Sequence, residues 1–481
     1  MLKRFFGPEI HHRLHFFVLG FFIIGVVCSK FLMSMGLLLG VLNLLLEGNF
    51  RSYFQRLKAN PLILFLLLFY ALHLIGLLWS SNLTYGLDDI RKKTSLLLIP
   101  IIVGAHPIPT TLRWNRLVHY FILTLVITAL INLIAYQFFA DALHLIDIRD
   151  MSLFGSHIRY GILMGIGLAF CIEQLYRGSK FRNAYMFSVF LFLVYTFYSQ
   201  VLSGIISVAI VLVGLMIFVL WQRRQFVVLF TSLFLFLLGS AGLIYYLSQP
   251  VEYPRPCMEQ YAEMESAWNQ RSDMNYKGLD KRKQPLASTL ERYLSSKGLC
   301  ANMNGVQKLT KTDIQFIETG FADVNETYGG IRARLLDVRY QLHHATNPSG
   351  HSILERIEYW KNAWSIIENH WLYGVGTGDV DDAMQEMYNK RNSPLTPERR
   401  LRAHNSYLTY YVTFGILGFL FFVYFQLKFI LQQWRWKQWV GFIFACIAFV
   451  TFMFEDTLES QMGITLFAFF YSVFSRKTAS A

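Results

Sequence analysis

Apolar stretches, most of them about 20 residues long and 94–105 the shortest, recur along this chain and suit helices that cross a bilayer. They read as spans at residues 14–29, 31–47, 61–79, 94–105, 117–138, 160–176, 184–201, 204–221, 226–247, 405–429, 438–454 and 460–475. In lipid every backbone polar group must be satisfied within its own segment, which leaves helices or closed barrels. Runs this long and this continuously apolar predict an all-α polytopic membrane protein of about twelve transmembrane helices. Composition agrees: 54% of residues are hydrophobic and only 16% charged, against roughly 25% charged in soluble domains.

The net charge of +13 has a topological reading. With the N-terminus inside, the inner loops carry Arg51, Arg56 and Lys58, then Arg113 and Arg116, then Arg177, Lys180 and Arg182, then Arg223 and Arg224. The last inner segments carry Arg435 and Lys437, then Arg476 and Lys477. This is the positive-inside pattern. No basic nucleic-acid-reading motif accompanies the charge, so nucleic acid is not expected as a partner, whereas membrane lipids are. Arg91, Lys92 and Lys93 break the pattern on the outer side, beside Asp88 and Asp89. They read as a mixed-charge amphipathic segment on the surface. The basic start MLKRFFGPEIHHR lacks a following small-residue cleavage site and reads as the first anchor.

The pattern divides the chain into a membrane domain over 1–247, an outer loop domain over 248–403 and a second membrane domain over 404–481. The loop is expected to be mainly helical, irregular and polar up to about residue 330. Cys28, Cys171 and Cys446 fall in spans, where cysteine is an inert core residue. Cys257 and Cys300 lie in the outer loop, a compartment in which they can form one disulfide. No His/Cys cluster has zinc-ligand spacing, and neither a metal nor a cofactor is expected.

Candidate chemistry gathers at the outer ends of the spans. SILERIEYWKNAWSIIENHW reads as an amphipathic helix with Arg356, Trp360 and Trp364 on one face. Either the tryptophans pack the helix and Arg356 is solvated, or they dock it with Arg356 turned inward as an anion clamp. In WLYGVGTGDVDDAMQEMY, glycines 374, 376 and 378 form a GxGxG turn before a helix starting near Asp379. Without a preceding strand it is not a dinucleotide site. It reads as a tight turn, a backbone anion cradle at Gly376 and Gly378, or a close-packing point.

PERRLRAHNSYL then leads into the next span. Its cations stand at an outer interface, where Arg402 is placed to meet a lipid-borne diphosphate. His404 is the side chain here that exchanges a proton near neutral pH. The alternative is an interfacial cap, with His404 or Asn405 capping the helix and the arginines on lipid phosphates. His157 and Arg159 precede the sixth span on the same side and either snorkel or complete a cationic pocket. Glu455, Asp456 and Glu459 form an acidic turn that pairs with the arginines or marks a hairpin.

Together, Arg356 with Trp360, the GVGTG turn, His404-Asn405, and Gly415 and Gly418 in the following span resemble the O-antigen ligase family of bacterial membrane glycan transferases. The resemblance extends to the topology of nearly the whole chain. It implies a GT-C-like membrane fold and a metal-independent, inverting glycosyltransferase in the bacterial inner membrane, with its site facing the periplasm. The donor it implies is a glycan on polyprenyl diphosphate, and the acceptor a sugar hydroxyl on lipid A-core or another sugar. It assigns His404 the role of base and Arg356 that of diphosphate clamp. Arg402, Asn405, Arg159, His157, Gly376 and Gly378 are the accompanying substrate-binding candidates. A Ser-Arg pair frequent in the family reads Ser203-Gly204 here, so one diphosphate contact is missing unless Arg159 replaces it. A polymerase of the same superfamily is the alternative activity. A lipid or glycan transporter is the alternative of a different class, disfavoured by the absence of an internal repeat and of midplane charges.

Overall fold

The computed structural model describes residues 7–107, 110–145, 148–250, 261–282, 284–328, 330–343, 348–349 and 351–477. The described residues form helices and loops, with one isolated β-bridge between Leu279 and Pro285. Helices α1 (Pro8–Cys28) and α2 (Lys30–Glu47) turn at Ser29, whose hydroxyl accepts the Leu32 N–H and caps α2. A short α3 (Phe50–Lys58) runs into α4 (Pro61–Ile75), which starts with a cap: Asn60 Oδ1 accepts the Leu62 and Ile63 N–H groups, and proline occupies the first helical position. There follow α5 (Leu83–Lys93), α6 (Ser95–Ala105), α7 (Thr111–Phe139), α8 (His157–Tyr176), α9 (Arg182–Ser199), α10 (Leu202–Gln222) and α11 (Phe226–Ser248).

All twelve expected spans are helical, and among the described residues eight helices are long and apolar enough to cross a membrane. The other four are α6, α9, and the later α20 (Trp439–Thr451) and α21 (Gln461–Phe474). Helices α6, α20 and α21 have only 11, 13 and 14 residues, short for a hydrocarbon layer of about 30 Å. Arg182, Asn183 and three tyrosines keep α9 less apolar. Short helices are tolerated because they are wrapped by others. In α21 nearly every side chain is buried, and Phe467, Phe470, Tyr471 and Phe474 interlock with Phe444 of α20. Helix α11 is the reverse, with Phe230, Phe234, Leu237 and Ile244 all exposed, as in a helix facing lipid.

Helices α8 and α10 cross at Gly161 and Gly204, where a Cβ on Gly161 would meet the Gly204 nitrogen at 2.7 Å. Such close backbone approach is the packing that membrane helices use in place of a hydrophobic driving force.

The polar segment after α11 contains α12 (Tyr261–Asn269), α13 (Leu286–Ser296), α14 (Met303–Gln307) and α15 (Lys311–Thr319), the short helices expected there. They enclose a hydrophobic cluster of their own around Trp268, Leu290, Tyr293 and Ile317. Of the expected cysteine pair, Cys257 lies outside the described residues, while Cys28, Cys171 and Cys446 are free thiols. Helices α16 (Gly330–His343), α17 (Ser352–His370) and α18 (Val380–Lys390) lead back to the bundle. The buried face of α17 is Tyr359, Ala363, Ile366 and Ile367, whereas Trp364 is 53% exposed. The tryptophan stripe is therefore not the docking face as a whole. The face made by the smaller and branched side chains fits the neighbouring helices instead.

The last long helix, α19 (Ser406–Trp436), is broken at Gly415, whose φ of 67° and ψ of −164° are open only to glycine. The segment after α17 plugs the break: Val375 and Gly376 donate to the Val412 and Thr413 carbonyls, and Ile416 donates to the Trp371 carbonyl. A Cβ on Gly415 would collide with the Leu372 carbonyl oxygen.

Candidate functional site

At the end of the bundle where α19 begins, the chain from 396 to 405 is strapped onto α17 and α18. The Tyr359 and Tyr388 hydroxyls donate to the Arg399 and Leu401 carbonyls, and Arg400 Nη1 donates to Asn389 Oδ1 at 2.6 Å. Arg399 lies 3.5 Å from Glu355. The strap ends in His404, a non-glycine residue at φ 46°. Asp456 holds that conformation: Oδ2 accepts the His404 N–H at 2.8 Å and Oδ1 accepts the Thr409 hydroxyl at 2.8 Å. Asn405 caps α19 by accepting the Leu408 N–H at 3.1 Å, so of the two residues considered for capping it is the asparagine that does so.

The histidine ring stacks on Tyr359 with centroids 5.5 Å apart. Its Nδ1 is buried, makes no hydrogen bond and lies 3.7 Å from Glu455 Oε2. The side chain is 32% exposed, so the open edge of the ring is the Nε2 edge. Glu455 Oε1 in turn accepts from Arg356 Nη2 at 2.5 Å. Arg356 donates further to the Phe454 and Ser352 carbonyls, so it turns inward from α17. Burial lowers the pKa of His404, but Glu455 and Asp456 outweigh it and raise the ring above its ordinary value. Burial raises Glu455, but His404 and Arg356 bring it below the usual carboxylate range.

A second ionic group adjoins the first. Glu459 accepts from Arg402, and from Lys93 Nζ at 2.7 Å; Lys93 also bonds both oxygens of Asp89 at 2.7 Å. Arg402 also donates to the Tyr85 hydroxyl. Burial pushes the Asp89 carboxyl up, yet Lys93 and Arg402 hold it down at about 2. The side chain of Lys93 is 2% exposed. This corrects the expectation that Lys93 belongs to a surface segment, although Arg91 and Lys92 do, pairing with Asp88 in solvent. The signal for Lys93 was present: a cation on the side where cations are disfavoured requires a partner. One partner, Asp89, is four residues away on the same helix, and the other, Glu459, lies in the acidic turn 366 residues away.

Arg159 stands in the first turn of α8, two residues after His157, and donates from Nη1 to Ser460 Oγ at 2.6 Å. Its Nε is buried and has no hydrogen-bond partner. It lies two residues from Gly161, which packs against Gly204, the position where the family arginine is missing. The glycines of the GxGxG turn act as a packing point. The N–H groups of residues 374 to 378 donate to His370 O, Val412 O, Thr413 O, Gly76 O and Ser80 Oγ in turn. No N–H in the turn, including those of Gly376 and Gly378, is left to cradle an anion. Immediately after it, the Asp379 carboxylate accepts the Ser81 and Asn82 N–H groups at the start of α5. The turn thereby ties α17 and α18 to the bundle.

A polytopic helical membrane protein with acids, cations and one open imidazole gathered at one end is the class that fold and site define. The chain carries an O-antigen ligase family segment: residues 187–423 match the model of that family, described as O-antigen ligase. No functionally curated protein matches the chain. The family carries a glycosyltransferase-like enzyme activity in general terms. The matched segment holds Arg356, the GVGTG turn and His404, whereas Lys93, Arg159, Glu455, Asp456 and Glu459 come from outside it.

Proposed function

We propose that the protein transfers a glycan en bloc from a polyprenyl-diphosphate carrier to a sugar hydroxyl of lipid A-core, at the periplasmic face of the bacterial inner membrane. The observation that supports this most is the Glu455 carboxylate between Arg356 and the buried Nδ1 of His404, which leaves Nε2 as the ring edge open to an acceptor. In this reading Nε2 takes the proton of the acceptor hydroxyl as its oxygen attacks the anomeric carbon of the donor sugar. The bond from that carbon to the diphosphate oxygen breaks, its electron pair leaves with the diphosphate, and the configuration inverts. Glu455 fixes the ring orientation and stabilises the imidazolium that forms.

Cations near the leaving group supply the electrostatic stabilisation. The guanidinium of Arg356 makes three protein contacts that fix it in place. Arg159, with an unfilled buried Nε, is the arginine suited to the diphosphate contact that Gly204 does not make. The test is surface glycan in cells carrying His404→Ala or Arg356→Ala at normal membrane levels. Loss of core-linked polymer, with polymer accumulating on the carrier, is the expected result. Single repeats left on the core would assign the chain to the polymerases instead, and unchanged core-linked polymer would end the reading.

A further inference from the structure

The end of the bundle opposite this site holds an open surface cavity of about 360 Å³, whose lining includes Arg56, Asn60, Trp436, Arg476 and Lys477. It lies where α3 meets α4, at the far end of α19 and just past α21. These are the ends of α4, α19 and α21 remote from His404.

Three cations line the cavity and no acidic side chain does. The two arginines are anchored through the backbone of α6: Arg56 Nη1 donates to Ala105 O at 2.6 Å, Arg476 Nη1 to His106 O at 2.6 Å, and Arg476 Nη2 to Gly104 O. These carbonyls orient the guanidinium groups without neutralising them. Burial and then the charge of Arg56 both lower the pKa of Arg476. Lys477 makes no hydrogen bond or ion pair among the described residues.

The depth of the cavity is set by its walls. Helix α3 is short and amphipathic, with Tyr53 buried, while Phe50 and Phe54, four residues apart, are 57% and 67% exposed. A helix of this kind lies in the plane of the membrane interface. Trp436, at the end of the 31-residue α19, is of the residue type enriched at headgroup level. A cation-rich cavity at that depth meets phospholipid headgroups before any other anion.

We propose that this cavity binds the phosphodiester headgroup of an acidic phospholipid. The guanidinium groups of Arg56 and Arg476 face the phosphate, with Lys477 closing over it. A choline headgroup carries its own ammonium into a field of three cations and is disfavoured. Cations that serve only as a topological signal need neither a shaped cavity nor backbone bonds that fix their direction.

The test uses full-length protein in detergent, with lipid retention followed by native mass spectrometry against phosphatidylglycerol, phosphatidylcholine and inorganic phosphate. Phosphatidylglycerol is expected to be retained in preference to phosphatidylcholine and to resist millimolar phosphate. Lys477→Gln, whose side chain has no protein partner to lose, should weaken retention about fivefold and leave both thermal unfolding and glycan transfer unchanged. Arg56→Gln should weaken it further; if that variant does not fold, Lys477→Gln decides. Equal retention of the two lipids, or wild-type retention by Lys477→Gln, would overturn the proposal. Displacement by inorganic phosphate would overturn the lipid assignment in favour of a free-phosphate site.

Discussion

Glu455 places a carboxylate oxygen 3.7 Å from Nδ1 of His404, and that nitrogen has no other polar partner within reach. The carboxylate's second oxygen is bonded to Arg356 at 2.5 Å. One acid thus links the candidate base to the candidate clamp, and its removal should affect both.

Glu455→Gln should shift the pH dependence of transfer. The base form of His404 is the neutral ring, so the rate rises with pH as the ring loses its proton. The wild-type limb lies above the ordinary histidine value of 6.5 because Glu455 and Asp456 raise it. Without the Glu455 charge the limb should move to lower pH, and the maximal rate should fall because Arg356 loses its partner. Initial transfer rates from pH 5 to 9 in reconstituted membranes would show this; an unmoved limb means that Glu455 does not act through His404.

Arg159→Ala should lower transfer by roughly 100-fold, the loss usual for a group that stabilises developing charge, with little change in membrane abundance. Arg159→Lys should recover only part of it, since an ammonium cannot reproduce the planar guanidinium fork. Rates at saturating donor would check this. A variant as active as wild type would remove Arg159 from the leaving-group contact.

Lys93→Met should destabilise the fold. It leaves Asp89 and Glu459 buried with one cation fewer, a change that costs about 3–5 kcal/mol for a broken buried pair. Thermal unfolding in detergent should show the loss. The double variant Lys93→Met, Asp89→Asn should recover part of it, because Asp89 has lost its ion-pair partner Lys93, whereas Glu459 keeps Arg402.

Gly415→Ala should lower stability by about 3 kcal/mol, the upper end of the range for forcing a side chain into such backbone geometry. The new Cβ would collide with the Leu372 carbonyl that plugs the helix break. Reduced yield and a lower unfolding temperature are the expected readouts; Gly239→Ala, on an open face of α11, serves as the neutral control.

Much of this molecule could be read from local pattern, because the forces involved are local. A bilayer makes each apolar run satisfy its own backbone, so twelve runs became twelve helices, and Asn60, Ser29 and Asn405 capped the helices they precede. Residue chemistry singled out His404, Arg356 and Arg159 for the same reason: cations and an imidazole at the ends of apolar helices are costly and stand out. Pairing was not legible. Lys93 meets Glu459 across 366 residues and Arg356 meets Glu455 across 99, and no periodicity encodes such a distance. The tryptophan stripe of α17 misled for a related reason, since what a helix face packs against depends on the shape of its neighbour. The GVGTG turn suggested an anion cradle by composition, but only the tertiary structure showed its N–H groups bonded to α17, to the turn that follows α4, and to the break in α19. The sequence by itself determined which segments are helical and which residues carry charge. The tertiary structure alone decided which charges meet, because burial forces each ion to find its partner wherever the packed helices bring one.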